Sequence, residues 1–148
     1  MSEVQTKYHG LVEIDESTVI TFEEGIPGFP DHKQYVLLPF EQETPFTVLQ
    51  STSEAALAFI VINPFDFYQQ YEVKLPDATI QKLEVEDPAQ VTIFNILTVQ
   101  SPFEKTTANM QAPLIVNLTN NKAKQLILND STYTTKHLIT APLLKEEL

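Results

Sequence analysis

Residues 57–62, Leu57-Ala58-Phe59-Ile60-Val61-Ile62, are six apolar residues in a row. The run has the length of a strand and is rich in the β-branched and aromatic residues that strands prefer. With no polar alternation, it reads as a strand covered on both faces or one crossing a barrel interior. Working outward, Tyr35–Phe40 and Phe46–Gln50 form a strand pair broken at residues 41–45. Further upstream, Gly10–Ile14 and Val19–Phe22 are two strands joined by the acidic turn Asp15-Glu16-Ser17. Downstream, Val91–Val99 (VTIFNILTV) is a longer strand. Leu114–Leu118 and Gln125–Asn129 make a late pair, with Asn120-Asn121 as the turn signal between them. Ten prolines punctuate the chain and keep its elements short, because proline stops helices and is excluded from central strand positions. Helical pattern is limited to Asp77–Val85, where Asp77 is a candidate cap after Pro76, and to a possible helical turn at Thr106–Met110. The expected fold is mostly β: a small antiparallel β-barrel-like single domain over residues 1–148, with one or two short helices.

Composition narrows the function. There are no cysteines, which removes disulfides, thiolate metal sites and cysteine nucleophiles and suits a reducing, cytoplasmic compartment. The most apolar window, Ala55–Asn63, is far too short to cross a bilayer. Residues 1–10 are polar and lack the pattern of a signal peptide. All nine basic residues are lysines, and the net charge is −11. Arginine is the usual residue for bidentate phosphate and base contacts, so direct nucleic-acid binding is not expected. The negative charge is concentrated in residues 1–99, which hold sixteen acids and four lysines. Such a surface serves solubility, and it also steers a basic partner into contact.

The patterns that carry catalysis are missing. Gly10, Gly25 and Gly28 form no phosphate loop, and there is no Gly-x-Ser-x-Gly elbow. His9, His32 and His137 are widely separated, so no metal or cofactor is expected. The carboxylate groups Glu23-Glu24, Glu84/Glu86/Asp87 and Glu146-Glu147 read as turns and solvated faces. A small hydrolase would need two carboxylates facing each other in a cleft.

Two loops stand out. Gly25-Ile26-Pro27-Gly28-Phe29-Pro30 is rigid and apolar, and Ile26 and Phe29 suit an inward plug better than an exposed tip. The stretch Asn63–Glu72 (NPFDFYQQYE) places four aromatics in seven residues among acids and amides. Rings mixed with polar groups are the material of protein-binding hot spots, and they equally suit the cap of a barrel end.

Four blocks in order resemble the FliW family. They are Phe22–Phe29 (FEEGIPGF), Phe46–Ser51 (FTVLQS), Phe59–Pro64 (FIVINP), and a C-terminal block. The last comprises Thr107–Asn117 (TANMQAPLIVN), Lys124–Leu128 (KQLIL) and Tyr133–His137. The resemblance runs from about residue 7 to residue 138. It implies a cytoplasmic, non-catalytic flagellar assembly factor with a small β-barrel-like fold. It implies two partners: flagellin, and the dimeric RNA-binding translational regulator CsrA, antagonised without competing for the RNA site. Flagellin synthesis would thereby be coupled to filament assembly. The alternative is a generic acidic β-barrel module that acts as an RNA-mimic decoy. The candidate CsrA-contacting residues are Phe59, Asn63, Pro64 and Glu72 around the aromatic loop, with Asp66, Glu84, Glu86 and Asp87 as steering acids. Flagellin would offer an amphipathic helix, and no groove for it is legible.

Overall fold

The computed structural model describes residues 2–26, 28–40, 46–66, 68, 71–100, 105–128 and 133–139, with only the backbone of Asp66. The expected break at 41–45, the ring of Phe67 and residue Asn129 lie outside these residues, and the late strand expected over Gln125–Asn129 instead spans Lys122–Gln125. The strands are β1 (Ser2–Gln5), β2 (Leu11–Ile14), β3 (Ile20–Phe22), β4 (Gln34–Pro39), β5 (Phe46–Ser51) and β6 (Ala58–Ile62). They continue with β7 (Val91–Thr98), β8 (Thr107–Ala108), β9 (Leu114–Asn117), β10 (Lys122–Gln125) and β11 (His137–Leu138). One α-helix, α1, spans Asp77–Leu83.

Seven strands close into a barrel in the order β7-β6-β5-β4-β3-β10-β9, with β9 pairing back onto β7. Six of the seven contacts are antiparallel, as expected, but β3 and β10 run parallel. The ring geometry requires this: an odd number of strands cannot alternate direction all the way round. The parallel contact is short, Lys122 opposite Thr21 and Ala123 opposite Phe22, and Thr21 N adds a bond of 2.9 Å to Asn121 O.

Side chains alternate across the barrel wall, as the pleat demands. Ile20 and Phe22 of β3, Tyr35 and Leu37 of β4, Leu49 of β5, and Phe59 and Val61 of β6 point inward. Phe94 and Ile96 of β7, Leu114 and Val116 of β9, and Ala123 of β10 complete that interior. The intervening residues build a second core outside the wall: Ile62, Leu97 and Ile115 pack there with Leu83 of α1, Tyr71, Met110 and Ile139. The unbroken run at 57–62 is thus explained, since Phe59 and Val61 face the interior while Ile60 and Ile62 face the outer layer. The β1–β2 hairpin covers another outer patch, packing Val4 and Ile14 on Val36.

Several local expectations change. Gly10–Ile14 and Val19–Phe22 are strands, but they do not pair with each other: β2 pairs with β1, and the acidic turn is a 3-10 turn capped by Asp15. Thr106–Met110 is not a helical turn. Thr107 and Ala108 are strand β8, held between β7 and β11, and pairing on both sides overrides the local pattern. Asp77 does not cap α1. Pro76 occupies that position with no side-chain bond, and Asp77 is the first-turn acid, favourable against the helix dipole. At the other end Glu84 adopts φ 56°, and the Leu83 carbonyl accepts from Asn117 Nδ2 at 2.9 Å and Asn120 Nδ2 at 3.0 Å. Those amides anchor α1 to the β9–β10 turn.

Ile26 is buried in the interior, while Phe29 stays 39% exposed with its ring edge-on to Phe59 at 5.7 Å. Gly25 has φ +71°, and a Cβ there would sit 2.7 Å from Pro30 Cα. Gly10 has a similar φ of +67° but open space around it. Gly10→Ala should therefore cost only the left-handed backbone penalty, about 1–2 kcal/mol. Gly25→Ala adds a backbone clash and should cost clearly more. Urea denaturation of the two variants checks the order; equal losses would mean the plug is not tightly seated.

Candidate protein-interaction surface

Asn63 leaves β6 and turns the chain: its Oδ1 accepts from Phe65 N at 3.0 Å, and Pro64, buried, begins a 3-10 turn through Asp66. Tyr68 N donates back to Pro64 O at 2.8 Å. Tyr71 then anchors the segment, 3% exposed in the outer core. Its hydroxyl donates to the Met110 carbonyl, and Asn95 Nδ2 reaches both Asn109 O at 2.8 Å and the same hydroxyl at 3.4 Å. Tyr133 packs edge-on to Tyr71 at 4.8 Å, and its hydroxyl accepts from Glu72 N at 3.0 Å. Tyr68 stands edge-on to His137 at 5.3 Å, where burial holds the imidazole below its ordinary pKa. The rings divide between both readings of the loop. Tyr71 is a core anchor, whereas Phe65 is 41% exposed.

Asn63 and Pro64 are thus braced by the turn into Phe65, Glu72 is braced at its backbone by Tyr133, and the Glu72 side chain is exposed. Phe59 is elsewhere. It faces the barrel interior at the far end of β6, four residues and roughly 13 Å along the strand from Asn63. The side chain of Asp66 lies outside the described residues. Glu84 is committed to an ion pair, its Oε1 2.7 Å from Lys122 Nζ. That pairing lowers the Glu84 pKa and raises that of Lys122. Glu86 and Asp87 are exposed, and Asp87 with Gln90 forms a capping box at the turn before β7.

The four ion pairs among the described residues all lie on one patch, joining Glu23, Glu24 and Glu84 to Lys82, Lys122 and Lys124. They lace the parallel seam and α1 together. One cavity among the described residues lies beside α1 and β7. It is a groove of about 570 Å³ lined by Val73, Leu75, Ile80, Val85, Val91 and Ile93, with Phe65, Lys74, Glu86, Asp87 and Pro88 beside them. The signal for it was present as period-two apolar residues at Val73/Leu75 and Val91/Ile93, on faces that sequence reasoning did not join. Its acids Glu86 and Asp87 are consecutive in the chain. Among the described residues no group of three or more His, Cys, Asp or Glu is placed to hold a metal, and no helix is long and apolar enough to cross a membrane.

The family model for the FliW protein matches residues 3–139. The chain belongs to the FliW family. It is 56% identical to the flagellar assembly factor FliW of Bacillus pumilus over 92% of this chain and 94% of that protein. It is 49% identical to that of Bacillus subtilis, over 92% and 95% of the two chains. A crystal structure of the flagellar assembly factor FliW superposes with a TM-score of 0.88 at 45% identity, covering 93% of this chain and 96% of the other. The barrel of this FliW-family chain is thus the fold of a solved relative, and its relatives are flagellar assembly factors.

Burial pushes the Tyr35 and Tyr71 hydroxyls up to about 12. An unfolded tyrosine ionises near 10, so the unfolded chain loses those protons first and stability falls as pH rises above about 10. The two tyrosines differ in bonding. Among the described residues Tyr35 Oη has no partner, whereas Tyr71 Oη donates to Met110 O. Tyr35→Phe should be neutral or stabilising at pH 7 and should blunt the alkaline loss. Tyr71→Phe should cost about 1–3 kcal/mol, because it strands a buried carbonyl. Chemical denaturation at pH 7 and pH 10.5 measures both, and a Tyr35→Phe loss as large as that of Tyr71→Phe would contradict the bonding described.

Proposed function

We propose that this FliW-family chain acts in the cytoplasm by binding proteins rather than by catalysis. It binds flagellin, and when flagellin is absent it binds and antagonises the CsrA dimer, so that flagellin synthesis follows filament assembly. The observation that carries the CsrA contact is the exposed Glu72 at the end of a segment braced by Asn63, Pro64, buried Tyr71 and Tyr133. A carboxylate on a pre-shaped loop loses little entropy on meeting a cation, which makes it a good contact for a basic protein.

Charge supports the same reading. An RNA-binding regulator presents a basic surface, and this chain carries −11 with no arginine. Three of its nine lysines are occupied by the seam patch. Glu72, Glu86 and Asp87 belong to none of those ion pairs. Glu84, already paired with Lys122, is the weakest of the steering candidates. Phe59 lines the barrel interior at the end of β6 away from the loop, beside Phe29, rather than touching a partner. Antagonism is non-competitive in this account: binding away from the RNA site weakens RNA affinity through coupling and charge repulsion.

Calorimetric titration against CsrA, free and saturated with flagellin-leader RNA, tests the mechanism. Binding to both forms, with reciprocally weakened RNA affinity, is expected. Binding to RNA-free CsrA alone would instead make the chain an RNA mimic. Glu72→Lys should abolish CsrA binding while leaving the melting temperature nearly unchanged; wild-type binding by that variant would remove Glu72 from the interface.

A further inference from the structure

Residues 133–139 form a strap that packs against the residues around Glu72. Three contacts hold it in place. His137 and Leu138 pair as β11 with Ala108 and Thr107 of β8. Met110 N donates to the Thr134 carbonyl at 2.9 Å. Ile139 is fully buried in the outer core. Met110 also serves the other side, since its carbonyl accepts from the Tyr71 hydroxyl. One residue after β8 therefore bonds the strap through its N–H and the neighbour of Glu72 through its C=O.

At the start of the strap, the Tyr133 hydroxyl accepts from Glu72 N at 3.0 Å. The ring that carries this oxygen is fixed edge-on to Tyr71 at 4.8 Å and to Tyr68 at 6.4 Å. Glu72 is exposed, and its carboxylate belongs to no ion pair among the described residues. Its backbone is thus tied from a distant part of the chain, while its side chain is left to meet a partner. The bond lies at an exposed position, where water can replace a lost acceptor, so it adds little to stability. What it supplies is a fixed backbone, which lowers the entropy lost when a partner meets the side chain. From this contact and the anchoring of the strap we infer that Tyr133 is a positioning residue: it holds the backbone of Glu72 in the conformation that a basic partner meets.

The inference rests on the reading of Glu72 as the partner contact, and one arm of its test needs no partner. Tyr133→Phe keeps the ring and removes the acceptor. In the free full chain, amide hydrogen exchange at Glu72 should become about tenfold faster, with the amides of β8 and β11 unchanged. Titration against CsrA should then give an affinity about fivefold weaker than wild type, the size expected when one contact must be ordered on binding. Gly10→Ala lowers stability at the turn of the β1–β2 hairpin, away from the strap, and should keep wild-type affinity. An unchanged Glu72 amide would overturn the proposal. So would wild-type affinity in Tyr133→Phe, or faster exchange throughout β8 and β11, which would make Tyr133 a structural clamp of the strap. Equal losses of affinity in Tyr133→Phe and Gly10→Ala would overturn it too, since affinity would then follow stability alone. If the wild type fails to bind CsrA, the functional reading falls, and the exchange pattern by itself decides whether Tyr133 fixes Glu72.

Discussion

A ring of seven strands must contain one pair running in the same direction, and here that pair is β3 and β10. Much else follows from how this seam is held. Two residue pairs make a weak closure by themselves, so the sequence surrounds it with contacts from outside the ladder. Thr21 bonds Asn121, Asn117 and Asn120 hold the end of α1, and three lysines meet three glutamates across the seam and the helix. Each of these ion pairs is partly exposed and contributes little singly. Their larger consequence is for the surface, since they consume positive charge where the barrel closes and leave the rest of the molecule acidic.

The fold was legible where one strand's side chains decide its neighbours. Residues 57–62 announced a two-faced strand because both faces are buried, and Tyr35–Phe40 with Phe46–Gln50 announced a pair because the two runs are adjacent in the chain. The β3–β10 contact was not legible, because it joins segments about a hundred residues apart and follows from the parity of the whole ring. Thr107–Ala108 misled for a related reason: two residues between two other strands carry too little pattern of their own. Asp77 looked like a cap because local rules favour it there, yet the chain entering from Pro76 already fixed the turn.

The candidate surface was legible in part. Asn63, Pro64 and Glu72 could be grouped because they flank one aromatic loop, and the structure keeps them on one braced segment. Phe59 was grouped with them by sequence proximity, but the extended strand carries it to the other end of the wall. The apolar groove left only separate apolar signals in the sequence, because its lining comes from the stretch before α1, from α1 itself and from β7, which meet only in the folded barrel. Glu72 faces solvent, and Phe65, Val73 and Leu75 line the groove on either side of it.

The central claim is that the stretch from Asn63 to Leu75, and not the β1–β2 hairpin or the seam, is the partner-binding surface. Amide hydrogen exchange of the protein with and without CsrA tests it most directly. The account predicts added protection over residues 63–75, with β1, β2 and the seam strands unchanged. Protection centred on residues 2–14 or on 20–24 and 122–125, with 63–75 unaffected, would contradict it.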